Sequence, residues 1–84
     1  MNEPRFTTEY FEEVHEELLR ATSKFGPFAS AHEGLAVIEE EFMEFRSAVF
    51  WGVDQKGQPS SSYDEAVQLA AMSIRYLIDI GRRR

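Results

Sequence analysis

Eighty-four residues with a net charge of −6 and no cysteine describe one small acidic domain, held without disulfides and with no thiolate available for metal or catalysis. The negative charge disfavours nucleic acid as a partner, because attraction to the phosphate backbone supplies most non-specific affinity. A 43% hydrophobic fraction with seven phenylalanines permits a core, yet only about 60% of the unfolded surface is buried at this size, so self-association is a natural source of stability.

Met1–Phe6 lacks the apolar core of a signal peptide, and no apolar run approaches the length of a membrane helix. The expectation is a single domain over residues 1–84, soluble and cytoplasmic. Phe11, Val14, Leu18, Ala21 and Phe25 then recur at steps of three and four, which predicts an amphipathic helix from about Thr8 to Lys24. Thr7 or Thr8 can cap it, and Gly26-Pro27 should end it.

Ser30 and Glu33 match a capping box that opens a second helix, Ala31 to Trp51. Its expected core stripe is Leu35, Ile38, Phe42, Phe45 and Val49, with Val37, Glu41, Glu44 and Ala48 on an adjacent stripe at the core margin. Gly52 to Ser61 has the glycine, proline and small polar residues of a loop. A third helix follows from Tyr63 to Ile80, capped by Ser62 with Glu65 or by Ser61 with Asp64. Val67, Ala70, Ala71, Ile74, Leu77 and Ile78 form one apolar side, and Leu69, Tyr76 and Ile80 form a second. A helix apolar on two sides needs two partners, so the expected fold is all-α, three helices assembling into a multimeric bundle.

The chemistry concentrates in two acidic steps. Glu40, Glu41 and Glu44 lie on the second helix, where positions 41 and 44 project roughly 60° apart and one turn apart. Glu65 and Gln68 repeat the three-residue step on the third. Oxygen donors so placed suit a hard cation such as Mg²⁺, which binds through a few carboxylates together with water and substrate phosphates. Position 68, however, supplies a neutral amide. The stripe Glu65, Gln68, Met72, Arg75, Asp79 is expected to look across at Glu41 and Glu44, with Arg75 as the best-placed phosphate contact and Lys24 and Lys56 behind it.

The stretches Ala31-His32-Glu33-Gly34-Leu35-Ala36-Val37-Ile38-Glu39-Glu40-Glu41-Phe42-Met43-Glu44 and Glu65-Ala66-Val67-Gln68-Leu69-Ala70-Ala71-Met72 resemble the MazG-like all-α nucleoside triphosphate pyrophosphohydrolases, particularly their small phage and bacterial branch. The resemblance implies Mg²⁺-dependent hydrolysis of a nucleoside triphosphate to the monophosphate and pyrophosphate on a helical homodimer or homotetramer. It places metal ligands at Glu41, Glu44 and Glu65, a base at Glu40, and Gln68 where the family has an aspartate. An amide oxygen can ligate a cation but brings no charge and cannot act as a base. The alternative is a degenerate member that binds nucleotide or assembles without turnover.

Each of these residues also has a plainer role. Glutamates are common on solvated helix faces, and Glu65 can serve as the capping-box acid of Ser62. His15 and His32 need no function beyond surface pairing or packing. Phe25, Phe28 and Trp51 can stack on a base but more often pack a core or an interface.

Overall fold

The computed structural model describes residues 7–81; the reading on Met1–Phe6 lies outside them. The described residues form three α-helices: α1 Thr8–Lys24, α2 Ala31–Trp51 and α3 Ser62–Tyr76, the last running into a π-helical turn at Leu77–Gly81. No helix among them is long and apolar enough to cross a membrane. Ser30 Oγ accepts from the Glu33 N–H, as the capping box requires, and Glu33 reaches back to the Ala29 N–H rather than to Ser30. Gly52 closes α2 in the left-handed region at φ 68°, where a side chain would be strained.

Ser61, not Ser62, caps α3 by accepting from the Asp64 N–H. That choice releases Glu65 from capping duty. Thr7 stands at the α1 N-cap without a side-chain hydrogen bond.

Helix α3 is central. The start of α2 meets the end of α3, at Gly34 and Tyr76, so these helices run antiparallel; α1 lies along the other side of α3, parallel to it, with Glu13 near Tyr63 and Thr22 near Arg75. Ala21, Phe28, Ala71 and Met72 form the core, with Val14, Leu18, Val37, Ile38, Tyr76 and Ile80 packed on it. A Cβ on Gly34 would stand 2.7 Å from the Tyr76 ring, so the absence of a side chain there sets how closely α2 and α3 approach.

The facing of the helices corrects the expected stripes. Small residues mark the inner side of α2: Gly34, Ser47 and Ala48 are buried. Leu35, Phe42 and Val49, expected in the core, are 54%, 49% and 56% exposed. On α3 the strip expected to seek a second subunit turns inward, with Tyr76 and Ile80 on the core, while Leu77 and Ile78 are largely exposed. Close packing selects the stripe of small side chains for contact within the chain and leaves the bulky stripe outside.

One polar assembly fastens the lower end. Arg75 donates from Nε to Asp79 Oδ2 at 2.7 Å, from Nη1 to Thr22 Oγ1 at 3.2 Å and from Nη2 to the Phe25 carbonyl at 3.1 Å. Its guanidinium carbon also lies 5.8 Å from the Phe28 ring centroid. Asp79 Oδ2 in turn accepts from the Phe28 N–H at 3.0 Å. Both charged side chains are nearly enclosed, and removing one partner of such a pair strands the other. Asp79→Ala should therefore destabilise the fold by about 3 kcal/mol, a melting decrease on the order of 10–20 °C for a domain of this size, measured by thermal and denaturant unfolding.

Candidate functional site

The seam between α2 and α3 places Glu41 among like charges. Glu41 Oε2 is enclosed and accepts no hydrogen bond, and burial raises its carboxyl pKa, with further contributions from Glu65, Glu40, Glu44 and Glu17. The acids of both sequence steps thus act on one carboxylate. Glu65 is buried, and its Oε2 accepts from Ser60 Oγ at 2.6 Å. Glu44 Oε2 accepts from the Gln55 N–H at 2.8 Å, while Glu40 is exposed.

Two of the candidate ligands are therefore held by the loop between α2 and α3. That loop is itself ordered by Asp54, whose Oδ1 accepts from the Lys56 and Gln58 N–H groups at 2.8 and 2.9 Å. Side-chain capture of backbone donors is how aspartate stabilises a tight turn. Ser60 and Gln55 carried no sequence signal, since serine and glutamine are ordinary loop residues.

Gln68 lines a cleft of about 400 Å³ together with Glu13, Glu16, Glu17, Arg20, Tyr63 and Asp64, and none of Glu41, Glu44 and Glu65 lines it. Arg20 donates from Nε to Glu17 Oε1 at 3.0 Å and from its terminal nitrogen to Oε2, a two-pronged pair. The Glu17 side chain is 16% exposed and that of Arg20 50%. Glu17 was legible in principle: it stands three residues after Val14 and four before Ala21, on the packed face of α1.

Arg75 does not join this group. Its three nitrogens are all engaged by Asp79, Thr22 and Phe25, and ten residues of helix separate it from Glu65 by roughly 15 Å of axial rise. The expectation that it faces the acids is corrected to a structural role. Lys24 closes α1 and Lys56 lies exposed in the loop. His15 lines an apolar groove with Phe11, Leu18 and Ala70, and His32 lines another with Leu35 and Tyr76. Of the candidate stacking rings, Phe28 is core, whereas Phe25 and Trp51 are exposed.

The fit of this site to Mg²⁺ can be judged from its donors. All are oxygens, and the enclosed Glu41 oxygen has no protein donor to satisfy it, so the chemistry suits a hard cation. Among the described residues no three acid or histidine side chains are already gathered around a common point. No family model matches the chain, and no curated protein or solved structure matches it.

The raised Glu41 pKa has a definite sign for stability. A carboxyl whose folded pKa exceeds its unfolded value stabilises the fold below the unfolded pKa and loses that contribution as pH rises through the folded value. In metal-free buffer, Glu41→Gln should be more stable than the wild type near pH 7, and the difference should shrink towards about pH 4, as measured by denaturant unfolding at each pH.

Proposed function

We propose that the chain is a Mg²⁺-dependent nucleoside triphosphate pyrophosphohydrolase, releasing the monophosphate and pyrophosphate. The observation that carries this reading is the unsatisfied, enclosed oxygen of Glu41 pressed by carboxylates from both acidic steps. Glu41, Glu44 and Glu65 are the residues that would hold the metal, with the Gln68 amide as a neutral contributor. A bound Mg²⁺ would supply charge neutralisation at the phosphates and a more acidic water.

The remaining chemistry falls to the chain. Glu40, exposed beside this group, is the base that takes a proton from water as its oxygen attacks the α-phosphorus and the bond to pyrophosphate breaks. Gln55 and Ser60 orient the Glu44 and Glu65 carboxylates through one hydrogen bond each. Arg20 supports a phosphate contact better than Arg75, because half of its side chain is open to the cleft.

The same reading includes a second copy of the chain. Leu35, Phe42 and Val49 recur at seven-residue steps along the outside of α2, each about half exposed, and no large side chain among the described residues is fully buried. Phe11, Phe25, Leu77 and Ile78 are also each more than half open. Exposed apolar side chains at such spacing along one helix are what a second helical surface covers. A homodimer or homotetramer covers them. Phe42→Glu should shift sedimentation to the monomer and lower the melting temperature; a wild type that sediments as a monomer at high concentration sinks the assembly.

Pyrophosphate release from a nucleotide panel, with and without Mg²⁺, tests the activity. Glu41→Gln and Glu44→Gln should each reduce turnover by about tenfold or more with helicity nearly unchanged, since glutamine keeps the shape and helix propensity. Nucleotide binding without turnover in the wild type would favour the degenerate interaction module.

A further inference from the structure

Seven residues make two turns of helix less about 20°, so Glu39 and Arg46 project along one line of α2. Both are exposed. Leu35, Phe42 and Val49 run along one flank of that line and Met43 and Phe50 along the other, all of them exposed as well. The outer face of α2 is thus an apolar strip with one acid and one base on its midline. Among the described residues neither charge has an ion-pair partner, and the Arg46 guanidinium carbon lies 5.0 Å from the Phe50 ring centroid, which keeps the cation on the strip.

We propose that two copies of the chain pair through this face with their α2 helices antiparallel, about a twofold axis between Phe42 and Met43, each Glu39 meeting the partner's Arg46. The inference rests on the second-copy reading of the exposed α2 side chains and adds direction and register to it. Charge complementarity selects both. A twofold interface brings residue i against j and j against i, and positions 39 and 46 lie equally far from the midpoint of residues 42 and 43. The same register stacks Phe42 on its own copy and Met43 on its own copy near the axis, with Leu35 close to the partner's Val49. A parallel pairing in register would instead oppose Glu39 to Glu39 and Arg46 to Arg46, and like charges set against one another across an interface are penalised. Glu41 lies about 200° further round the helix than Glu39, so the pairing leaves the acidic seam of each copy outside the interface.

Sedimentation equilibrium of the full chain and its charge variants tests the pairing. Glu39→Arg and Arg46→Glu should each weaken self-association by about tenfold, and the double variant should return it to within about threefold of the wild type, because two reversed pairs replace the two lost. Net charge alone gives a different pattern: Glu39→Arg makes this acidic chain less negative and would strengthen association, whereas Arg46→Glu would weaken it. The chain has no cysteine, so disulfide formation reads direction separately. Under oxidation, Glu39→Cys mixed with Arg46→Cys should cross-link and either alone should not, since identical positions in the antiparallel pair stand roughly 10 Å apart along the axis, beyond the reach of a disulfide. Should a charge variant lose helicity by circular dichroism, the cysteine variants decide. An unrescued double variant, or Glu39→Cys that cross-links alone as readily as in the mixture, overturns the antiparallel register and leaves assembly through α2 standing. A wild type that sediments as a monomer at high concentration overturns both.

Discussion

The close approach of α2 to α3 is the constraint on which the rest of the structure depends. Gly34 lets the Tyr76 ring lie where a Cβ would be, and Ala48 on α2 and Ala71 on α3 are buried farther along. A helix pair held by small residues leaves little room for water in its seam, and Glu41 stands in that seam, seven residues from both Gly34 and Ala48. Its enclosed oxygen and raised pKa follow from this geometry, since desolvation penalises the ionised form wherever solvent is displaced. Packing and chemistry thus share one cause.

The same approach explains why so much apolar surface remains outside. A helix has one circumference, and giving the small-residue stripe of α2 to α3 turns Leu35, Phe42 and Val49 away. The core within the chain is correspondingly slight: alanines, one phenylalanine and one methionine, with the Arg75–Asp79 pair fastening the end where apolar packing is thin. A buried pair of this kind contributes little net stability over an apolar equivalent, but it fixes one arrangement. It joins the α1–α2 connection to the start of the π-helical turn, where Leu77–Gly81 departs from the regular α-helical ladder.

Helix boundaries were legible because capping is local. Ser30 with Glu33, Ser61 with Asp64, and Gly52 after Trp51 announce themselves within four residues. Which stripe of each helix faces inward was not, because periodicity identifies two apolar stripes on α2 without saying which meets α3 and which meets another surface. Bulk misled: the larger side chains looked like core, while contact followed the smaller ones. Arg75 shows a related limit. Helical phase puts it on the same stripe as Glu65, but phase is silent about axial distance, and almost three turns of helix carry it to a different cluster. That the two acidic steps lie on adjacent helices, α2 and α3, was readable from their order and spacing. The loop donors Gln55 and Ser60 were not, because they reach Glu44 and Glu65 only through the tertiary arrangement of the α2–α3 loop.

Charge distribution gives the electrostatic argument its direction. Fifteen acids against nine basic residues make repulsion the background, and most of the acids on α1 escape it by facing water, where screening is strong. Glu41, Glu65 and Glu17 do not. Ser60 steadies one of them and Arg20 another, by hydrogen bond and by charge, whereas Glu41 Oε2 has neither. An enclosed carboxylate oxygen with no donor is satisfied only by a proton or a cation, and a proton leaves as pH rises through the raised pKa. The seam therefore favours positive charge at Glu41, beside the loop that holds Glu44 and Glu65.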